Sequence, residues 1–432
     1  MHFNATTIHR LIHHFRLGTF SQLQDKSLAR LQEAFKETRI LFLDEFSMIG
    51  RQFMGRIDSR LNQAKAGSNP TDSSLGGVSC VCSGDPAQCE AISDQQMYDT
   101  NAHKDTASAG EAQRVQLSNA GMSVYEEFDE VVVLSKIHRL TQLSEATTDE
   151  QRLYNARCVR FAEIQLRMRD MTLTSDDYFW LCKLKRSARS SKDRLFFKDA
   201  VTLIEFRRTT ENNEEDNCEF YNRQHLRAQA KNGKVPVIAF DAVHEGTPQE
   251  NGMTMKDELF NALPRRLEIA VGAPVLLLHN LAVEHGLMNG SQGTVMDIVF
   301  AVGDHPNHDL VANRMPMSVI VNFPGYCGPP FFAEKDRRTW VILQPREQEC
   351  GERSDVTRKR FSLCLAYAIT PWKAQGMTLD KVIVRLSHAC SKPGVLFVAL
   401  TRVRHPDHLL LEDDFPAYTT IRRQLLHPSF SA

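Results

Sequence analysis

The sequence predicts an α/β protein built on parallel sheets, with a small β-barrel inserted in its second half. Three observations predict it. Two apolar runs, 40–43 and 78–82, flank a helical stripe, and strand–helix–strand in that length packs as a parallel pair under its helix. Between 267 and 345 the texture changes to short alternating runs punctuated by Gly and Pro, the pattern of a small barrel or sheet. From Phe361 onward the alternation of buried strand and helix returns. A chain of 432 residues forms two or three domains, and 42% hydrophobic with 24% charged residues excludes wholesale disorder.

Taken in order, Leu23, Leu28, Leu31 and Phe35 make one helical stripe within 21–39. Residues 40–43 follow as a fully buried strand. Ile49, Phe53, Ile57 and Leu61 then step by four along a second helix that Gly67 can stop. Residues 68–77 read as a polar loop and 78–82 as the next strand. Residues 94–125 are polar and rich in small residues, and are expected to run over the surface. Val131-Val132-Val133-Leu134 predicts a strand, 150–195 an Arg-rich helical region, and 200–206 another strand. The β region predicts strands at 271–278, 293–300, 318–323 and 340–343. Beyond it come strands at 363–369, 382–386 and 409–411, with a helix around 394–403.

The formal charge is −1 and the pI about 7.0, which argues neither for nor against nucleic acid, since a narrow channel needs no basic total. Ten cysteines lie scattered, without C-x-x-C or zinc-finger spacing, so structural zinc is not expected. No apolar run is long enough to cross a bilayer, and the N-terminus lacks a signal-peptide core. The expected location is nuclear, with mitochondrial or cytoplasmic as alternatives, and without a membrane partner.

Four short stretches carry chemistry. In Leu43-Asp44-Glu45-Phe46 two carboxylates stand at the tip of a buried strand, where one can hold Mg²⁺ through water and the other can orient the attacking water. Two surface acids opening a helix read the same way. Gly84-Asp85-Pro86-Ala87-Gln88 ends the next strand, on the same rim if the strands are parallel; alone it is a common turn. Thr370-Pro371-Trp372-Lys373-Ala374-Gln375-Gly376 offers hydroxyl, ammonium and amide donors to a phosphate backbone, with Trp372 either stacking on a base or packing at the core's edge. Arg402, in an apolar helix, and Arg139, after a strand, can each reach a γ-phosphate or form a surface ion pair.

In this order the stretches resemble the PIF-type DNA helicases, superfamily-one motors related to RecD, and particularly the helicase portions of Helitron-like elements. Thr7-Ile8-His9 resembles a segment that contacts single-stranded DNA. Asp44-Glu45-Phe46-Ser47-Met48 resembles the magnesium motif, and Gly84-Asp85 to Gln88 the sensor motif. Val271-Gly272-Ala273-Pro274-Val275, Asn280 and Asn289-Gly290-Ser291-Gln292-Gly293 resemble the inserted barrel. Ala366 to Gly376 and Val398 to Arg402 resemble the last two motifs.

The resemblance implies two RecA-like P-loop domains: 1–134, the first and N-terminally truncated, and the second in two parts, 135–265 and 346–432, around an SH3-like barrel at 266–345. It implies ATP and Mg²⁺, with Asp44, Glu45, Gln88, Gly376, Arg139 and Arg402 at the nucleotide and Asp44 on the metal through water. It places His9, Thr370, Trp372, Lys373 and Gln375 near DNA, single-stranded or forked, tracked 5′ to 3′ as the cleft closes and opens.

The sequence departs from the family at Cys89-Glu90-Ala91, where Leu-Pro-Pro is usual, at Trp372, where His is usual, and at Leu140, where Gln is usual. No G-x-x-x-x-G-K-[ST] occurs in the 432 residues. The expectation is therefore an incomplete helicase chain that hydrolyses little ATP alone, because phosphate positioning carries most of this catalysis. A non-catalytic DNA-binding or scaffold remnant of such a helicase is the alternative, and an RNA-directed motor a third reading. Telomere maintenance, DNA repair, recombination and transposition stay open, as does oligomeric state.

Overall fold

The computed structural model describes residues 7–12, 20–66, 73–99, 109–207, 217–246, 254–260, 263–301, 315–350, 356–386 and 394–425. Gly67, expected to stop the second helix, lies outside them.

The first body contains α1 (Ile8–Leu11), α2 (Asp25–Phe35), β1 (Ile40–Leu43), α3 (Arg51–Lys65), β2 (Ser79–Cys82) and α4 (Ala109–Glu126). β1 and β2 pair in parallel with Leu43 opposite Cys82, so both strands end on one rim. Strand alternation sends Leu41 and Leu43 inward, where they join Leu31, Phe35, Met54, Ile57 and Leu61 in one core. The run 40–43 is thus half-buried rather than fully buried: Ile40 and Phe42 are exposed.

Two expectations of secondary structure also fail in this body. Within the expected polar excursion, 109–126 is a helix that buries Val115, Leu117 and Val124. Its apolar stripe is thin because contact with α3 is made by backbone. A Cβ on Gly121 would lie 1.9 Å from the carbonyl oxygen of Arg51, and one on Gly55 2.1 Å from that of Leu117. The run 131–134 forms no strand; its four side chains are 75–85% exposed. Branched residues favour strands only where a ladder partner exists, and none of the described strands pairs there.

The expected helical region holds α5 (Asp149–Arg169), α6 (Ser175–Cys182) and α7 (Ser191–Phe196), each opened by a capping box, at Thr148, Thr174 and Ser190. After them come β3 (Val201–Ile204), α8 (Cys218–Gly233), β4 (Ile238–Asp241), β5 (Val243–Glu245), β6 (Arg266–Ile269), β7 (Pro274–Leu277), β8 (Gln292–Val299), β9 (Ser318–Asn322), β10 (Trp340–Leu343), β11 (Arg346–Glu349), β12 (Thr357–Arg360), β13 (Leu363–Leu365) and β14 (Ala368–Ile369). The chain closes with α9 (Pro371–Ala374), β15 (Val382–Arg385), α10 (Val395–Leu400), β16 (Leu409–Leu411) and α11 (Tyr418–Leu425).

The second body centres on a parallel sheet in the order β14-β3-β15-β16, covered by α5, α6 and α10 through one apolar core. The inserted β region is an antiparallel sheet, β10-β9-β8-β7-β13, with its own core, beside the smaller sheets β11-β12-β5 and β4-β6. Here a third expectation is corrected. The run 363–369 is two strands: β13 pairs with β7 in the inserted sheet, and β14 pairs with β3 in the parallel one. Both halves are apolar, and β13 is part-buried while β14 is buried, so hydropathy alone does not mark the change of sheet.

Arg358 fixes the inserted region from within. Fully buried, it donates to His244 Nε2 at 2.8 Å, Asp257 Oδ1 at 2.8 Å and the carbonyl oxygens of Leu263 and Met255, and it lies over the Phe260 ring. Burial, then the Arg358 charge, holds the His244 pKa below its ordinary value, which keeps Nε2 free to accept.

Candidate nucleotide site

The rim where β1 and β2 end carries the two acids. Asp44 Oδ1 accepts from the Ser83 hydroxyl at 2.7 Å and from the Glu45 N–H at 3.0 Å, which leaves Oδ2 open to a metal-bound water. Glu45 sits in the left-handed region at φ 55° and ψ 47°, turning the chain off the strand before the turn Phe46–Met48. Glu45 is the N-cap of the short 3-10 helix Phe46–Met48, and the α-helix α3 opens further on, at Arg51. Gly84 follows β2, and a Cβ there would lie 2.8 Å from Phe46, so the two strand-end turns are pressed together.

Arg139 and Arg402 approach from the second body. Arg139 donates through Nε to Thr378 Oγ1 at 3.2 Å and through Nη1 to the Thr401 carbonyl at 3.0 Å. Its pKa is lowered by burial, against which the Glu45 carboxylate acts. Arg402 is 1% exposed and donates to the Val398 carbonyl at 2.9 Å and Thr401 Oγ1 at 2.6 Å, while its buried Nη1 has no hydrogen-bond partner. Burial and then the neighbouring Arg139 bring its pKa down to about 10, with Glu45, Cys89 and Asp85 opposing. Two desolvated guanidinium groups side by side call for an anion between them. Gln88 presents a buried Oε1 that also lacks a partner. An unbonded carboxylate oxygen, an unbonded guanidinium nitrogen and an unbonded amide oxygen fit a hydrated cation and a polyphosphate.

Gln375, expected near DNA, reaches this rim: its Nε2 donates to Glu45 Oε2 at 2.6 Å. Gly376, at φ 76°, lies next to it, and a Cβ there would be 3.3 Å from Glu45 Oε1. Thr370 caps α9, accepting from the Lys373 N–H. Lys373 is exposed, with Nζ 3.5 Å from Cys364 Sγ. Trp372 packs against the core of the second body, the edge-packing alternative, and His9 stacks on Phe53 with ring centroids 4.4 Å apart. Ser83, Thr378 and Thr401 stand in or beside the recognised motifs without a role of their own there; in the structure they hold Asp44 and the two arginines.

The fold and this rim define the class: a mixed α/β protein of two RecA-like bodies with an inserted β region, the architecture of its structural neighbours. Within that class the chain is similar, over the segments that match, to PIF-type helicases. Residues 259–298 match the family described as DNA helicase Pif1, 2B domain. ATP-dependent DNA helicase PIF1 of Danio rerio is 32% identical over 162 residues, covering 38% of this chain and 22% of that protein. ATP-dependent DNA helicase PIF6 of Trypanosoma brucei brucei is 33% identical over 160 residues, covering 37% and 18%. The match thus spans less than a quarter of either relative. The crystal structure of Bacteroides Pif1 bound to ssDNA aligns with a TM-score of 0.62 at 20% identity, over 99% of this chain and 82% of that one. The Pif1 helicase of Candida albicans gives 0.61 at 20%, over 96% and 83%. At such identity these structures show the shared fold. Among the described residues no helix is long and apolar enough to cross a membrane.

Proposed function

We propose that this chain serves an ATP-dependent DNA helicase of the PIF type, with the γ-phosphate of ATP held between Glu45 on one wall and Arg139 and Arg402 on the other. The observation that carries the reading is Arg402, buried beside a second arginine with one guanidinium nitrogen unbonded. In this scheme Asp44 holds Mg²⁺ through water, and the cation neutralises charge on the phosphates when bound. Glu45 takes a proton from the attacking water, Gln88 orients that water, and the arginines stabilise charge on the transferred group. Thr370 and Lys373 contact the phosphates of single-stranded or forked DNA, with His9 beside the strand, and each cleft closure moves the strand one step, 5′ to 3′. The cellular location that fits this role is the nucleus.

The test is ATP hydrolysis and strand separation on forked DNA by the purified chain, beside fluorescence anisotropy on a labelled single strand. DNA-stimulated hydrolysis lost in Glu45→Gln supports the reading. A chain that binds no single-stranded DNA and hydrolyses no ATP sinks it. Binding without hydrolysis fits an incomplete helicase and a DNA-binding scaffold alike; hydrolysis gained when a segment carrying G-x-x-x-x-G-K-[ST] is joined upstream assigns the first, and no gain assigns the scaffold. RNA-stimulated hydrolysis in place of DNA-stimulated would assign the chain to RNA.

A further inference from the structure

Gln375 makes contacts that the reading of the motifs does not assign to it. Its backbone is fixed at the end of α9, where its N–H donates to the Pro371 carbonyl at 2.9 Å. Its side chain leaves the second body and spans to three points of the first. Nε2 donates to Glu45 Oε2 at 2.6 Å and lies 3.4 Å from Ser47 Oγ, while Oε1 accepts from the Cys89 N–H at 3.1 Å. The surroundings are packed, not incidental. Cys89 is 0% exposed and lies in the apolar core of the second body with Val395, Leu396 and Ala399. Gly394 comes so close that a Cβ on it would lie 2.0 Å from the Gln88 carbonyl oxygen.

We propose that Gln375 is the positioning residue of Glu45 and the polar latch between the two bodies. Its amide occupies Oε2, so the carboxylate keeps one orientation and presents Oε1 on the side where Gly376 has no side chain to obstruct it. A base held in one rotamer with one oxygen free is arranged to receive a proton from a single water. The same amide group ties the 84–89 turn to α9, so Glu45, Gln88 and α9 move as one unit. This rests on Glu45 being the water-activating carboxylate; the latch itself does not.

The experiment is hydrogen–deuterium exchange on the full chain, read on peptides spanning 84–92, where the Cys89 amide is protected by Gln375. Gln375→Leu removes all three side-chain bonds and is expected to speed exchange about tenfold, the upper weight of an ordinary neutral hydrogen bond such as that from Cys89. Gln375→Glu sets two carboxylates against each other and is expected to exchange at least as fast. The swap Glu45→Gln with Gln375→Glu restores amide against carboxylate and keeps an acceptor for Cys89, so protection returns to within about threefold of the parent chain. Unchanged exchange in Gln375→Leu overturns the proposal, and so does a swap that exchanges as fast as Gln375→Glu alone. If Gln375→Leu fails to fold by circular dichroism, the swap against Gln375→Glu decides by itself. The cycle needs neither nucleotide nor DNA. A chain without ATPase activity would sink the role of Glu45 and leave the latch to this measurement.

Discussion

At the scale of single residues, the site separates groups proposed to act on a phosphate from groups that hold them. In any preparation showing hydrolysis, Glu45→Gln is expected to lower kcat about 10²- to 10⁴-fold with little change in KM, because it removes a proton acceptor and not a binding contact. Arg402→Ala is expected to reduce kcat/KM by a comparable factor, since its unbonded nitrogen is the group aimed at the anion. Steady-state kinetics separates the two. Asp177 illustrates a charge with a structural task. Burial pushes its carboxyl up, but hydrogen bonds from Arg167 and Thr174 outweigh that and leave it at about 2. Its contribution to stability is present above its ordinary value near 3.8 and is lost as pH falls toward 2. Asp44 and Glu45 were legible in the sequence because adjacent acids after an apolar run are a local pattern. The role of Gln375 was not, because its partner stands 330 residues away.

At the scale of elements, close backbone contact decides what hydropathy misses. Gly121→Ala is expected to destabilise the first body by about 2 kcal/mol or more, measured as a drop in the urea midpoint, because α3 and α4 must separate to admit one methyl. The helix α4 was hidden in the sequence for this same reason: Gly121 and Gly55 make its crossing with α3, and only Val115, Leu117 and Val124 leave an apolar stripe to count. The split of 363–369 escapes for a different reason, since a buried run looks alike in two adjoining sheets. Arg358→Leu is expected to cost about 3 kcal/mol by removing the buried ion pair with Asp257 and the bonds to His244 and two carbonyl oxygens, while Arg207 stays 3.8 Å from Asp257. The cluster also makes a pH prediction. The folded pKa of His244 is depressed, so its share of stability is full above pH about 6.5 and is lost as pH falls below that value. Thermal melts at pH 7.5 and 5.5 should diverge more for the parent chain than for His244→Gln.

At the scale of the whole molecule, the residues proposed for nucleotide and for DNA meet on one short helix. Thr370 caps the start of α9, Lys373 lies in its last turn, and Gln375 follows its end. Lys373→Ala is expected to weaken single-strand binding about tenfold at low salt and to reduce the slope of log affinity against log salt by about one, measured by anisotropy titration. A variant with the parent's slope would move Lys373 off the DNA path. By itself the sequence determined the α/β class, the inserted β region and the identity of the acids and arginines. These are written in local periodicity and in short motifs, which physics reads within a few turns of chain. Only the tertiary structure decided that 109–126 is a helix, that 131–134 is not a strand, that 363–369 serves two sheets, and that Gln375 faces Glu45. Each of those depends on a partner far away in the chain, and neither hydropathy nor spacing records which distant surface a residue will meet.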